Sequence, residues 1–269
     1  MITIEHLSIG YMGGGGNRKI VAADLNATLR RASLTCLVGP NGGGKSTLLR
    51  TIAALQPSVG GEIRFWDDET GGTAFQTIDM RTPKERLARL ISIVLTDRPA
   101  MRNMTVGETV ALGRQPYTGF WGILGSEDRE IVGESMRLVG IAKLAERHVQ
   151  TLSDGERQKM MIAKALAQQT PVIILDEPTA FLDYPSKVET LGILRRLCRD
   201  NGKTVLLSTH DMEIALQLAD TLWLMDNGSL VTGTPAELAS TGTLSRFTDR
   251  NGIRLDPQTL SLRIEKMAE

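Results

Sequence analysis

The sequence predicts an α/β fold, a mostly parallel sheet with an α-helical subdomain inserted into its chain. Three observations carry this prediction. First, "SLTCLVG" (33–39), "PVIIL" (171–175) and "KTVLLS" (203–208) are apolar runs of strand length, as strands buried on both faces require. Second, the composition between about 100 and 170 turns helical, in "TVGETVALGR", "SEDREIVGESMRLVGI" and "GERQKMMIAKALAQQ". Third, 269 residues with 41% hydrophobic and 23% charged side chains suit one large or two small globular domains.

In chain order, residues 2–9 alternate apolar and polar and read as a strand, as do Leu25–Leu29, where Leu25, Ala27 and Leu29 share a face. "SLTCLVG" runs straight into glycines and then "KSTLLRTIAAL", a helical pattern. Residues 60–80, rich in Gly and Asp, read as a hairpin or surface insert. "TPKERLARL" (82–90) offers Thr82 as cap, Pro83 in the first turn and Glu85 shortly after, all helix-start signals. "ISIVL" (91–95) is a buried strand, and the inserted helices follow. After the two later apolar strands, "TLWLMDNGSLVTG" (221–233) reads as a hairpin, and the tail carries a short strand near "GIRLD". The only low-complexity run is "GGGG" at 13–16.

Charge excludes some partners. Lys+Arg and Asp+Glu both number 31, so no general field draws the chain to nucleic acid or an anionic membrane. No nucleic-acid partner is expected. Cys36 and Cys198 sit in apolar company without CxxC or histidine neighbours, which predicts buried free thiols. The opening "MITIEHLSIGY" lacks the basic start and apolar run of a signal peptide, and no apolar stretch reaches the ~20 residues of a spanning helix. A soluble chain is expected, which reaches a membrane only through a partner.

The chemistry lies at the ends of the apolar strands. "GPNGGGKST" (39–47) matches GxxxxGK[ST] between a strand and a helix. In such a loop the glycines let backbone N–H groups converge on phosphate oxygens; Lys45 reaches the β- and γ-phosphates and the Ser46 hydroxyl ligates Mg²⁺. "VIILDEP" (172–178) ends a strand in Asp176 and Glu177. Asp176 can hold the Mg²⁺ water shell and Glu177 can deprotonate a water. Alternation along the strand is expected to send the two carboxylates to opposite faces. "LLSTHD" (206–211) places His210 at the strand edge where ligands of open α/β sheets bind.

"LSDGERQ" (152–158) opens a helix with bare N–H groups, a second anion signal. Together with GPNGGGKST, VIILDEP, the following "FLD" and "STHD", it resembles the nucleotide-binding subunit of an ATP-binding cassette (ABC) transporter, over roughly residues 1–235. The resemblance implies a P-loop NTPase core, mostly parallel with an antiparallel β subdomain. The core takes residues 1–97 and 171–235, the helical signature subdomain 98–170 and a C-terminal extension 236–269. It also implies roles. Tyr11 stacks on adenine. Gly39, Pro40, Asn41, Gly42, Gly43, Gly44, Lys45, Ser46 and Thr47 form the Walker A loop. Asp176 is the Walker B aspartate, Glu177 the general base, His210 the switch histidine, and Asp183 lies in the loop that crosses to a partner. Ser153 and Gly155 contact the γ-phosphate of ATP held by a second copy, so two chains sandwich two Mg·ATP head to tail.

One position departs from the pattern. The usual Mg²⁺-touching glutamine is missing from "IVLTDRPA" (93–100); Asp97 takes its slot, with Thr96 the second choice. "LGR-x-P-Y" (112–117) is similar to importers of iron–siderophore, haem and cobalamin complexes. Tyr117, Phe120 and Trp121 are then either a groove for a permease helix or a cluster pinning a loop. The partners implied are a second copy, membrane permease subunits and, indirectly, a substrate-binding protein, at the cytoplasmic face of the membrane. The alternative is a soluble cassette ATPase, for instance of iron–sulfur cluster assembly. A GTPase is excluded by the lack of an Asn-Lys-x-Asp motif, and a non-hydrolysing module by the intact Glu177.

Overall fold

The structure is a computed structural model that describes residues 1–12, 18–66, 75–96, 103–119, 121–248, 253–256 and 258–264. Its first half runs β1 (Ile2–Met12), β2 (Arg18–Leu29), β3 (Leu34–Val38), α1 (Lys45–Ile52), β4 (Gly60–Trp66), β5 (Phe75–Thr77), α2 (Lys84–Leu90), β6 (Ile91–Val94), α3 (Val106–Ala111), α4 (Ser126–Leu138) and α5 (Asp154–Ala167). The second half runs β7 (Val172–Leu175), α6 (Tyr184–Asn201), β8 (Thr204–Thr209), α7 (Met212–Leu218), β9 (Thr221–Asp226), β10 (Ser229–Gly233), α8 (Pro235–Ser240), α9 (Thr243–Thr248), β11 (Ile253–Asp256) and β12 (Ser261–Ile264).

Six strands form the central sheet in the order β10-β9-β3-β8-β7-β6. The β9-β3, β3-β8, β8-β7 and β7-β6 pairs are parallel, and only the edge hairpin β9-β10 is antiparallel. The apolar runs follow from this position, because successive side chains enter different cores. In β7, Ile173 and Leu175 join α5 and α6, while Val172 and Ile174 join α1 and a second sheet. Each such side chain, buried outright, stabilises the fold by about 1.5–3 kcal/mol.

The second sheet is antiparallel, in the order β2-β1-β4-β5. Of the two readings for 60–80, the hairpin holds: β4 pairs antiparallel with β5, and Ile63 and Phe65 of β4 are buried, so the segment is not a surface insert. β2 reaches back to Arg18, beyond the five residues the alternation marked, because Arg18, Lys19 and Ile20 are exposed in succession and carry no alternation.

α2 starts one residue later than the sequence signals place it. Pro83 occupies the cap position without a side-chain cap bond, and the Thr82 hydroxyl instead accepts from the Asp79 N–H at 3.1 Å. The tail forms the hairpin β11-β12, and Leu255 packs it into the larger apolar core. No helix among the described residues is long and apolar enough to cross a membrane.

Candidate functional site

The loop between β3 and α1 is shaped by glycines, two of them in left-handed conformations. Gly42 and Gly44 adopt φ of +76° and +99°, a region that a Cβ disfavours. A Cβ on Gly44 would also lie 2.6 Å from Val21 Cγ1 and 2.9 Å from Met225 Cε. Lys45, 4% exposed, spans the loop and donates from Nζ to the carbonyls of Gly39 (2.9 Å) and Pro40 (3.1 Å). The same Nζ lies 3.7 Å from Glu177 Oε1. Tyr11 stands over the loop end, half exposed, its hydroxyl 2.9 Å from Thr47 Oγ1. Tyr11, Lys19, Val21, Asn41, Gly42, Gly44 and Glu177 line one open cleft above the loop.

At the end of β7, Asp176 is buried and its Oδ1 accepts from Ser46 Oγ (3.0 Å) and Ser208 Oγ (2.7 Å). Two hydroxyls and a carboxylate converging here are hard oxygen donors, the chemistry that suits a magnesium ion. Glu177 departs from the expected strand alternation. The strand ends at Leu175, and Glu177 takes φ +47°, so a left-handed turn and not the pleat separates the two carboxylates. Its Oε2 lies 3.9 Å from His210 Nδ1, with His210 half exposed just beyond β8. Lys45, Ser46, Asp176, Glu177 and His210 thus meet at one sheet edge. Asp97 lies outside the described residues; Thr96 lies inside them, and its hydroxyl donates to the Asp176 carbonyl at 2.9 Å.

Ser153 is the N-cap of α5 and is engaged within its own turn. Its hydroxyl accepts from the Glu156 N–H (3.2 Å), and the Glu156 carboxylate accepts from the Ser153 N–H (2.8 Å), a reciprocal capping box. That backbone bond, with Arg147 beside it at 3.2 Å, holds the Glu156 carboxyl below its ordinary range. Among the described residues, no hydrogen bond or ion pair joins Ser153 or Gly155 to the loop at 39–47.

The family model described as ABC transporter matches residues 22–180. The chain belongs to the ABC transporter family. It is 41% identical over 232 residues to an uncharacterized ABC transporter ATP-binding protein of Methanocaldococcus jannaschii, across 86% of this chain and 75% of that one. It is 34% identical over 260 residues to the iron(3+)-hydroxamate import ATP-binding protein of Bacillus subtilis, across 96% of this chain and 91% of that one. Among solved structures, a dimeric bacterial ABC transporter cassette shares the fold with a TM-score of 0.70 at 24% identity, over 87% of this chain and 99% of that one. The ABC cassette fold is the predicted one, a P-loop NTPase sheet with an antiparallel β sheet beside it and inserted helices.

Within this ABC cassette, Asp183 caps α6 by accepting from the Ser186 N–H at 3.0 Å, and Ser186 hydrogen bonding holds its carboxyl low. Ser186 also packs 3.5 Å from where a Cβ of Gly155 would stand, which sets the α6 turn against the start of α5. The "LGR-x-P-Y" run is chiefly a pin. Arg114 is buried, bonding Asp128 Oδ1 (2.8 Å), the Ala167 carbonyl (2.9 Å) and Gln169 Oε1 (2.8 Å). Its guanidinium lies 4.0 Å from the Tyr117 ring centre, and the Tyr117 hydroxyl donates to the Gln168 carbonyl. Phe120 lies outside the described residues, and Trp121 is 82% exposed.

Two residues escaped the sequence reading. Arg114 closes the C-terminus of α5, where the last carbonyls lack helical partners. Ser208 was legible as a hydroxyl inside an otherwise apolar strand, a placement that calls for a partner. Both cysteines are buried and free, and burial pushes the thiols up, Cys198 to about 12 and Cys36 further.

Proposed function

We propose that this chain hydrolyses ATP to power import of an iron complex, a siderophore or haem, or of cobalamin, through a membrane permease. It does so as a head-to-tail pair at the cytoplasmic face, the permease receiving cargo from a substrate-binding protein. The observation that carries the reading is the meeting of Lys45, Ser46, Asp176, Glu177 and His210 at one sheet edge, while the "LSDGERQ" helix start stands apart. The iron(3+)-hydroxamate relative, aligned over nearly the whole chain, supports the cargo class.

In this reading the loop amides from Gly39 to Thr47 bind the phosphates of ATP, and Tyr11 stacks on the base from the rim of the cleft. Lys45 gives a buried cation to the β- and γ-phosphates. The Ser46 hydroxyl and Asp176 carboxylate fit Mg²⁺ by their hard oxygens and 3.0 Å approach, and Asp97 is a further candidate from outside the described residues. Bound there, Mg²⁺ supplies charge neutralisation at the transferring phosphate.

Glu177 takes the proton of the attacking water, and His210, within 3.9 Å, holds that carboxylate in place. Ser153 and Gly155 present the N-terminus of α5 to the γ-phosphate on the other copy. Exposed Phe181 and Tyr184, which flank the loop holding Asp183, suit a contact with that copy. Closure then moves the 98–170 segment, and the permease with it, against the core formed by 1–97 and 171–235.

The test is Glu177→Gln, which keeps size and hydrogen bonding but removes the base. Turnover should fall by about 10²–10⁴-fold with ATP binding retained. Undiminished turnover refutes the assignment. Co-purification of the chain with a multi-span permease is expected, and a stable complex with soluble iron–sulfur scaffold proteins instead overturns the transport reading.

A further inference from the structure

The strand before Asp176 stops at Leu175, yet the peptide that follows is held on both of its edges. The Asp176 carbonyl accepts from Thr96 Oγ1 at 2.9 Å, and the Glu177 N–H, the other end of the same peptide group, donates to Ser208 Oγ at 2.8 Å. Thr96 lies just past β6 and Ser208 lies in β8, the two strands that flank β7. Ser208 in turn donates its hydroxyl hydrogen bond to Asp176 Oδ1 at 2.7 Å, so its hydroxyl both donates and accepts. The Asp176 N–H continues the ladder to the Val94 carbonyl at 2.8 Å.

This bracing sits where the backbone needs it. Glu177 carries a Cβ at φ +47°, a conformation that persists only where surroundings over-determine it. The orientation of the Asp176–Glu177 peptide plane fixes where the Glu177 Cα–Cβ bond points. It therefore sets the carboxylate 3.7 Å from Lys45 Nζ and 3.9 Å from His210 Nδ1. Side-chain hydroxyls, not further strand pairing, supply the two bonds that hold the plane.

We propose that Thr96 and Ser208 are positioning residues for hydrolysis: their hydroxyls clamp the Asp176–Glu177 peptide and so aim the Glu177 carboxylate. The proposal rests on the reading of Glu177 as general base. It gives the segment that lacks the usual glutamine a role through the carboxylate, by way of the Thr96 bond to a backbone carbonyl.

The experiment measures ATP turnover, ATP binding, the Mg²⁺ concentration for half-maximal turnover and thermal unfolding for Thr96→Val, Thr96→Ser, Ser208→Ala and Glu177→Gln. Thr96→Val, near-isosteric without the donor, should lower kcat by about tenfold with KM and ATP affinity within about twofold, as expected for a reacting group misplaced by a fraction of an ångström. Thr96→Ser restores the donor and should recover most of kcat. Ser208→Ala, which also releases Asp176 Oδ1, should lower kcat by about a hundredfold. A Thr96→Val with wild-type kcat overturns the clamp, as does a Thr96→Ser as slow as Thr96→Val. A raised Mg²⁺ requirement in Thr96→Val at unchanged saturating kcat also overturns it, by placing Thr96 at the metal. Should Thr96→Val fail to fold, Ser208→Ala decides: unchanged kcat there overturns the proposal. Wild-type turnover in Glu177→Gln sinks the general-base reading itself, whereas an inactive Glu177→Gln beside fully active Thr96→Val and Ser208→Ala sinks the clamp alone.

Discussion

The phosphate loop and the start of α5 are both built to meet an anion, but they are finished to different degrees. Around the loop, Lys45 and Asp176 are buried, and Asp176 is tied to Ser46 across 130 residues of sequence and to Ser208 of β8. At α5, Ser153 is exposed and its hydrogen bonds close within the same turn. One site is assembled by the fold of a single chain; the other is a rigid knob whose capping bonds close on themselves at the surface. The difference is the one the proposed head-to-tail pairing calls for, in which the knob of one copy is set against the loop of the other.

The largest expected effect tests that division directly. Ser153→Arg places a bulky cation at the knob and leaves the loop untouched, so turnover should drop by about 10³-fold or more while ATP binding to the isolated chain stays within about twofold. Loss of binding would put the knob and the loop in one chain's site. Mixing Ser153→Arg chains with Glu177→Gln chains sharpens the comparison. In a mixed pair one site combines an intact loop and Glu177 from the first chain with an intact signature from the second. Activity should reappear on mixing two nearly inactive proteins, and a mixture that stays inactive argues against sharing.

The two ends of α5 make the next contrast. Its N-terminus is capped at the surface, whereas its C-terminus is closed by the buried Arg114, which also pairs with Asp128. Removing one partner of a buried ion pair typically costs about 3–5 kcal/mol, so Arg114→Ala should lower Tm by several degrees. Arg114→Lys should recover little, because an ammonium cannot reproduce three bonds in a planar fork or the stacking on Tyr117. A variant with wild-type Tm would show that Arg114 is not the pin between this helix end and the 112–117 segment.

The same contrast explains what could be read without a structure. The loop, the strand ends and the start of α5 were legible because each is local: glycines before a Lys-Ser, carboxylates after an apolar run, "LSDG" opening a helical pattern. What escaped is relational. Glu177 was expected to point away from Asp176 by strand alternation, and nothing local announces its left-handed φ, which bonds from Ser208 in β8 and from Thr96 just past β6 support. Ser208 and Arg114 act on residues 32 and 53 positions away, distances over which hydrophobic period carries no information. The start of β2 was obscured because the exposed Arg18, Lys19 and Ile20 lack the alternation that marks half-buried strands.

The smallest effect probes the knob's own rigidity through pH. Glu156 has its carboxyl held below the ordinary value of 4.5, first by the Ser153 N–H and then by the Ser153 hydroxyl contact and Arg147. A carboxyl depressed in the folded state contributes stability that is fully present above the unfolded value and is lost as pH falls through the folded one. Glu156→Gln keeps the neutral capping bond but not the charge, so the two proteins should differ by only a few tenths of a kcal/mol near pH 7, given the partly exposed pairing with Arg147. That gap should narrow as pH drops below 4.5 and the wild-type carboxyl takes up its proton. A gap that stays constant to acid pH would mean that shape alone holds the start of α5, and that the charge on Glu156 does nothing to keep Ser153 turned outward.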